Sequence, residues 1–243
     1  MHRFFFSQSL SIPEIVIVDS KEIHHLKNVL RLKLFAKIDV FNGQGQEAKC
    51  TIQSMTSNAI HLHIDSLKTS EIKLPTIILA CAMPKKSKFE LIIEKATELG
   101  VAEIIPLKTK RTEIILNGER ALKKINRYQT VAINASKQSK RITVPIIHPI
   151  TELKTALLSL SQRADLIIPS LELKRQNIFD ALKRFQSPQS VACFIGPEGD
   201  FTPEEYKLAQ KHGCLAVSLG KTILKVETAA ISATACLNIH YHS

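Results

Sequence analysis

Apolar residues are distributed differently before and after about residue 70. In the first part, short apolar runs are separated by turn residues, which is typical of a small all-β domain. The predicted strands of this part are Ile15–Val18, Ala36–Phe41, Ala48–Ser54 and Ile60–Ile64. A turn at 42–45, Asn-Gly-Gln-Gly, joins the second strand to the third. Residues 1–70 are therefore predicted to form a small β-barrel.

From Leu74 onward, apolar runs of strand length alternate with apolar positions at helical spacing. Ile77–Ala82 reads as a buried strand, followed by a helix that is predicted to begin at Lys85 and to end at Gly100. The other predicted elements are the strands Ile104–Leu107 and Leu166–Ile168 and the helices Arg120–Lys137 and Ile178–Phe185. This alternation predicts an α/β domain over residues 74–243, with the boundary between Lys68 and Pro75.

Two glycine-containing loops each follow an apolar run. The first is Gly196–Gly199 after Val191–Ile195, and the second follows Leu219 at Gly220. Because glycine has no Cβ, a ligand can approach the backbone closely at such a loop. Each loop alone is equally compatible with an ordinary strand-to-helix turn, whereas two of them in one domain predict a cofactor held by main-chain groups.

The chain carries a large positive charge that is concentrated in one segment. It has 33 Lys and Arg residues against 22 Asp and Glu residues, a net charge of +11. Between Pro106 and Pro145, ten basic residues stand against two acidic ones, so this segment alone carries +8. Such a surplus indicates the phosphate backbone of a nucleic acid as partner. The alternative is a solvated helix face, which usually carries mixed charges.

Several classes of protein are disfavoured by what the sequence lacks. The five cysteines are odd in number, far apart and without zinc-type spacing, which favours a reduced cytoplasmic protein with no metal. No apolar run is long enough for a signal peptide or a membrane span, so a soluble protein is expected. The absence of Gly-x-Gly-x-x-Gly after a strand argues against an open dinucleotide-binding fold.

Several stretches, in the expected order, resemble one known family. Ile195–Gly199 with the helix start Thr202–Glu205, followed by Leu219–Ala229, resembles the C-terminal half of the RsmE family of SPOUT methyltransferases. The upstream stretches that are similar to motifs of the same family are His25–Arg31, Lys88 with Glu90, Lys95–Val101 and Gln138–Arg141. This family methylates ring nitrogen 3 of a uridine in 16S ribosomal RNA, and the resemblance covers nearly the whole chain.

The resemblance implies a fold, a cofactor and an assembly. The fold is a PUA-like β-barrel over residues 1–70 and a SPOUT domain over 74–243, an α/β parallel sheet whose C-terminal part is tied in a deep trefoil knot. The implied assembly is a homodimer that binds S-adenosylmethionine through the glycine loops and through a third loop near Leu171. The residues matched to the cofactor are Leu171, Ile195, Gly196, Pro197, Glu198, Gly199, Leu219, Gly220, Ile223, Leu224, Thr228 and Ala229.

Catalysis and RNA binding are assigned to a smaller set of residues. Methylation of uridine requires loss of the proton on ring nitrogen 3, so a carboxylate near the methyl group is expected to take part, Glu198 before Glu227. Lys225 completes the catalytic candidates. The partner is ribosomal RNA or the small ribosomal subunit, and the candidates for gripping its phosphates are Arg31, Lys88, Lys140 and Arg141.

Three positions depart from the family pattern. Thr222 and Lys225 stand where arginine is usual, and Asp200 stands where glycine is usual. Lysine keeps the charge of arginine but not the planar fork that holds a phosphate or a carbonyl in two contacts. If the usual arginines contact RNA or polarise the uracil, this protein has to use Lys221 or Lys225 instead, or to work with reduced activity. Two alternatives stay open: a non-catalytic RNA-binding or ribosome-assembly protein on the same scaffold, and a methyltransferase that acts on another RNA.

Overall fold

The chain forms two compact units. The computed structural model describes residues 2–84, 88–112, 118–171 and 174–242. The N-terminal unit consists of Met1–Ile72 with Ser136–Val144, and the C-terminal unit consists of Lys73–Ala135 with Pro145–Ser243. The break after Ile72 lies inside the predicted boundary region, whereas the predicted single cut places Ser136–Val144 in the second domain.

The N-terminal unit is built around a five-stranded sheet. Its strands are β1 (His2–Phe5), β2 (Glu14–Ile17), β3 (Lys37–Phe41), β4 (Gln46–Met55) and β5 (Ile60–Thr69). They lie in the order β1-β3-β4-β5-β2; β1 runs parallel to β3, and the other neighbours are antiparallel. Strands β2 to β5 confirm the sequence prediction. Strand β1 is missing from that prediction, because its consecutive phenylalanines do not alternate with polar residues.

Alternation along these strands sorts side chains between core and solvent. Ile38 of β3 and Ile52 of β4 are fully buried, as the two-residue period of a strand requires for one face of a sheet. Helix α1 (Ser20–His24) begins where the Asp19 carboxylate accepts hydrogen bonds from two backbone N–H groups of the first turn. It is followed directly by a wider, π-helical turn at His25–Val29.

Hydrogen bonds within the N-terminal unit explain why the segment Ser136–Val144 belongs to it. The backbone N–H of Val144 donates to the carbonyl of Gly43 (3.0 Å). The Arg3 guanidinium donates to the carbonyl of Ser136 (3.1 Å). The glycine turn between β3 and β4 therefore has a backbone partner from much later in the chain, which no local sequence pattern reveals.

The C-terminal unit contains an eight-stranded sheet. Its strands are β6 (Thr76–Ala82), β7 (Glu103–Lys108), β8 (Ile146–Ile147), β9 (Thr151–Glu152), β10 (Asp165–Pro169), β11 (Gln176–Asn177), β12 (Ser190–Ile195) and β13 (Leu215–Ser218). The order is β11-β13-β10-β12-β6-β7-β8, β9 also pairs with β7, and all these pairs are parallel. Parallel strands are covered on both faces, and Val191–Ile195 of β12 is accordingly buried throughout.

The remaining helices alternate with these strands. They are α2 (Lys88–Glu98), α3 (Gly118–Gln138), α4 (Leu153–Leu160), α5 (Ile178–Leu182), α6 (Pro203–Lys211) and α7 (Val226–His242). Helix α7 packs against α2 and β6. The predicted end of α2 is confirmed, because Gly100 has a φ of +89° and the Val101 N–H donates to the Ala96 carbonyl (3.0 Å). Thr202 and Glu205 form a capping box at the start of α6.

Other elements differ from the sequence prediction or lie beyond what the structure describes. Helix α4 is missing from the prediction, since no side-chain cap marks its start. Helix α5 ends at Leu182 rather than Phe185, because the last N–H groups bond three residues back, in a tighter final turn. The predicted helix start at Lys85 falls outside the described residues. The trefoil knot stays a prediction, which strand pairing does not test.

Candidate cofactor site

Three loops of the C-terminal unit meet at one edge of its sheet. Strand β10 pairs in parallel with both β12 and β13, so the carboxyl ends of three neighbouring strands lie together. Residues from the segments that follow these strands, with the first turns of α2 and α7, line a cavity of about 380 Å³. Open α/β sheets bind ligands at this edge, and the volume is in the range of small-molecule sites.

The first glycine loop is held by contacts of its own. The backbone N–H of Asp200 donates to the Pro197 carbonyl (2.9 Å). Asp200 has a φ of +61°, and its carboxylate accepts hydrogen bonds from the Phe201 N–H (2.8 Å) and the Tyr206 hydroxyl (2.7 Å). Aspartate tolerates this left-handed conformation better than most residues. These bonds explain how an aspartate fits where the family usually has glycine.

The two glycines of this loop have different surroundings. A Cβ at Gly196 would lie 3.1 Å from a ring carbon of Phe201, so a side chain there would be tightly packed against that ring. Gly199 does not line the cavity. Its carbonyl accepts a hydrogen bond from the Arg111 guanidinium, and a Cβ would lie 3.3 Å from the Arg111 side chain. Gly199 therefore has a structural role beside Arg111, and its predicted contact with the cofactor stays a prediction.

The second glycine loop leaves open space beside its backbone. The Ser218 hydroxyl donates to the Gly220 carbonyl (3.0 Å) and accepts from the Gly220 N–H (3.3 Å). Gly220 has a φ of +134°, which L side chains rarely adopt, and a Cβ there would meet no atom within 4 Å. The glycine is thus required by the backbone, and its cavity side is free for a ligand.

The third loop follows β10, and both backbone groups of its first residue, Ser170, are hydrogen-bonded. The Ser170 N–H donates to the Val217 carbonyl (3.1 Å), and the Arg175 guanidinium donates to the Ser170 carbonyl (2.7 Å). Ser170, Leu171 and Arg175 all line the cavity. The sequence indicates this loop only through its position after a strand, and nothing in the pattern identifies Arg175.

Apolar side chains surround the opening of the cavity. Leu171 is 48% exposed and Ile223 is 80% exposed, while Ile195 and Pro197 are buried behind them. Large apolar side chains exposed around a concave site indicate a ligand with an apolar face.

An ion pair joins the first turns of two helices in the cavity wall. The Lys88 ammonium lies 3.0 Å from the Glu227 carboxylate. Burial alone would raise the pKa of Glu227, but a hydrogen bond to its own backbone, Lys88 and the charge of Lys225 together lower it. Glu227 is therefore ionised at neutral pH and is a weak proton acceptor. Lys88, predicted to grip an RNA phosphate, is instead engaged with this carboxylate.

Glu198 and Lys225 both line the cavity with exposed side chains. Glu198 lies in the loop after β12, three residues beyond the end of the strand, and its charge acts on Cys81 of the neighbouring strand β6. Burial raises the pKa of the Cys81 thiol, and the negative charge of Glu198 raises it further. The three catalytic candidates, Glu198, Lys225 and Glu227, are therefore brought to one cavity.

Ten of the twelve residues matched to the cofactor line this cavity. The exceptions are Gly199, explained above, and Thr228, whose side chain is exposed elsewhere on the first turn of α7. Lys88, Lys225 and Glu227, which were assigned other roles, also line the cavity, and the remaining lining residues are Pro169, Ser170, Arg175, Asp200, Thr222 and Val226. The individual contacts stay predictions, since no ligand defines them.

The other candidates for RNA binding lie in the N-terminal unit and differ in exposure. Arg31 and Lys140 are exposed, and both have positive φ values, +50° and +61°. Arg141 is half-buried; its guanidinium donates to the Thr143 hydroxyl (2.9 Å), and burial lowers its pKa to about 10. The guanidinium of Arg141 is therefore already engaged within the protein, and its contact with an RNA phosphate stays a prediction.

The basic segment between Pro106 and Pro145 contains several ion pairs. Among the residues that the structure describes, four of its ten cations pair with carboxylates, in the pairs Lys108–Glu152, Lys123–Glu119, Arg127–Glu90 and Lys137–Glu22. The field that this segment presents to a polyanion is therefore weaker than its net charge indicates.

Neither a membrane-spanning helix nor a metal cluster is found in the part of the chain that the structure describes. No helix within it is both long and apolar enough to cross a membrane. Within the same residues, no three His, Cys, Asp or Glu side chains are grouped so that they could hold a metal ion.

Comparison with known families defines the class of protein. A family model described as an RNA methyltransferase PUA domain matches residues 18–65, within the N-terminal unit. A model described as an RNA methyltransferase domain matches residues 70–238, which is more than half of the chain. The fold, the cavity and these matches together define an RNA methyltransferase with an N-terminal PUA-like domain.

Individual relatives narrow this class. A ribosomal RNA small subunit methyltransferase E of Rickettsia conorii is 32% identical over 225 residues, covering 91% of this chain and 88% of that protein. The Bacillus subtilis protein of the same name is 27% identical and covers 98% of this chain and 96% of its own. The crystal structure of the Neisseria gonorrhoeae protein, described as bound to S-adenosyl methionine, matches with a TM-score of 0.88 and 27% identity, over 99% of this chain and 98% of that one. The chain belongs to the ribosomal RNA small subunit methyltransferase E family, which confirms the resemblance seen in its motifs.

Proposed function

We propose that this protein transfers a methyl group from S-adenosylmethionine to ring nitrogen 3 of a uridine in the RNA of the small ribosomal subunit. The observation that carries the proposal is the cavity at the carboxyl ends of β10, β12 and β13, walled by backbone loops and an apolar rim. Family membership supports ribosomal RNA as the substrate class, and the Neisseria relative is described as bound to this cofactor.

The loop residues suit the parts of S-adenosylmethionine, which supplies a methyl group on a positively charged sulfur when bound. The exposed faces of Leu171 and Ile223 suit a flat adenine ring. The backbone beside Gly220 can hydrogen-bond polar edges, because no Cβ obstructs it.

Two chemical demands fall on the residues of the chain. The ring nitrogen has to lose its proton, and the two reacting atoms have to be held in line at near contact. Glu198 is assigned to the first demand, by accepting the proton or by orienting the base. Lys225, an exposed cation of the same cavity, is assigned to polarising a uracil carbonyl. Glu227, ionised beside Lys88, is a positioning residue rather than the proton acceptor.

The target uridine has to be accessible to the cavity. Ring nitrogen 3 is hidden in a base pair, so the nucleotide must be single-stranded or flipped out while basic residues hold the flanking phosphates. The exposed Arg31 and Lys140 are assigned to that task. A substrate of this kind places the protein in the cytoplasm with the ribosomal subunits.

RNA affinity is expected to fall steeply with salt, because cations are released from the phosphates when the complex forms. Arg31→Ala and Lys140→Ala should each flatten the log-log slope by about one. The control Lys183→Ala removes a lysine that is paired with Asp180 in the C-terminal unit and should leave the slope unchanged. Anisotropy of a labelled fragment of small-subunit RNA measures all three, and an affinity independent of salt contradicts the assignment.

The protein is further expected to be a homodimer. Ala230, Ala233 and Leu237 of α7 are buried within the unit, while Ile239 of α7 and Leu91 of α2 remain 58% and 43% exposed on two helices that pack together. An apolar surface of this kind suits a second copy of the chain. Light scattering at micromolar concentration should give twice the chain mass, and an active monomer contradicts the dimer.

Methyl transfer by the purified protein tests the proposed function. Small ribosomal subunits and S-adenosylmethionine with a labelled methyl group are the substrates, and label is expected in the RNA. Binding of both without transfer would favour the non-catalytic alternative. Label in transfer RNA but not in the subunits would favour the other substrate.

A further inference from the structure

An exposed aromatic residue stands at the tip of a turn in the N-terminal unit. The Ala36 N–H donates to the Lys33 carbonyl (3.2 Å), which closes a four-residue turn with Leu34 and Phe35 at its centre. Phe35 is 76% exposed and Leu34 is 49% exposed. Two large apolar side chains therefore project from one tight turn, and their limited burial contributes little to the stability of the fold.

The backbone of Phe35 is in a conformation that phenylalanine rarely adopts. Its φ is +66°, in the left-handed region that glycine or asparagine normally fills at the third position of a turn. The strain is held in place by strand β4, since the Phe35 N–H donates to the Ile52 carbonyl (2.8 Å) and the Ile52 N–H donates to the Ala36 carbonyl (3.1 Å). Strain that is retained without a packing return points to a functional side chain.

The charges around the turn indicate the kind of partner. Arg31, Lys33 and Lys37 are all exposed and lie within four residues of Phe35 along the chain. An aromatic ring interleaved with cations is the arrangement by which proteins bind single-stranded nucleic acid, because the ring stacks on a base while the cations contact the backbone. An apolar protein partner would not require these three cations.

We propose that Phe35 stacks on an unpaired base of the RNA substrate, with Lys33 and Lys37 beside the adjoining phosphates. Because the turn is fixed to β4, the ring is presented to solvent without ordering a loop, which keeps the entropic cost of stacking low. The proposal rests on RNA being the substrate, as in the proposed function, but not on the chemistry at the cavity.

A tryptophan at position 35 provides a direct test, because the chain contains no other tryptophan. In the Phe35→Trp variant, a single-stranded oligouridylate of about twelve nucleotides should quench the indole emission, and a duplex of equal length should not. Binding of the labelled oligouridylate without quenching would overturn the proposal. An emission change that depends on protein concentration alone would also overturn it, because it would indicate a second copy of the chain on this surface.

The Phe35→Gly variant separates stacking from folding. Glycine relieves the positive φ, so the melting temperature should stay the same or rise, while affinity for the oligouridylate falls about tenfold with an unchanged salt slope. The control Lys33→Ala should instead flatten that slope by about one. Affinity of Phe35→Gly within twofold of the parent refutes the stacking role. These binding measurements omit S-adenosylmethionine, so their outcome does not depend on whether the protein transfers a methyl group.

Discussion

Glu198→Gln is expected to lower the single-turnover rate of methyl transfer by about a hundredfold or more, as for the loss of a general acid or base. Glutamine keeps the shape of the side chain and removes both its charge and its proton affinity. Glu198 lines the cavity in the loop after β12, whereas Glu227 lies 3.0 Å from the Lys88 ammonium, which helps to lower the pKa of that carboxyl. Affinity for S-adenosylmethionine should change little, because the group acts mainly in the transition state.

A matched variant shows whether this effect belongs to the site. Glu204→Gln removes an exposed carboxylate from the first turn of α6, outside the cavity lining, and should leave the rate within a few fold of the parent. The parent rate should also rise with pH, because the uridine nitrogen is only weakly acidic. If Glu198→Gln stays within a few fold of the parent from roughly pH 6 to 9, Glu198 is structural and catalysis is chiefly positioning.

Ala229→Leu is expected to weaken binding of S-adenosylmethionine by about tenfold or more, since overfilling a packed space typically costs 1–3 kcal/mol. Ala229 lies in the first turn of α7 and is half-buried in the cavity wall. Leucine is a good helix former, so the fold should be retained. Isothermal titration calorimetry measures the affinity, and the melting temperature checks the fold.

The glycine loops themselves are less suitable for this test. A side chain at Gly196 would press on Phe201, and a side chain at Gly220 would have to accept a φ of +134°. Substitution of either glycine would therefore disturb the loop as well as the ligand. Ala121→Leu makes the same substitution as Ala229→Leu at a half-buried position of α3, outside the cavity lining. If the affinity for S-adenosylmethionine is unchanged in Ala229→Leu, the cofactor does not bind in this cavity.

Local sequence patterns predict much of the C-terminal unit. The buried run Val191–Ile195 with the loop that follows it predicts both a central strand and its carboxyl-end site, because short apolar runs and glycines act locally. The capping box at Thr202 and the left-handed Gly100 are equally local signals. Resemblance to a family then supplied the ligand, which no pattern of hydrophobicity contains.

Other features of the fold and of the site could not be predicted from the sequence, because they depend on contacts between distant segments. The place of Ser136–Val144 in the N-terminal unit rests on bonds to Gly43 and Arg3. Arg141 looks like a phosphate ligand in a basic stretch, but its guanidinium is half-buried and donates to the Thr143 hydroxyl. Gly199 looks like a ligand-contact glycine, yet it makes room for Arg111. For the segment Ser136–Val144 and for Gly199, the contacting residues lie far away in the chain.

Mapping of methylated nucleotides by mass spectrometry tests the central claim most directly. Small-subunit RNA and transfer RNA are compared from a strain without the gene, from the same strain with the gene restored, and from the strain restored with the Glu198→Gln variant. We predict that one uridine of the small-subunit RNA lacks a methyl group on ring nitrogen 3 without the gene and regains it only with the active form. Identical small-subunit maps in all three strains would contradict the proposed function.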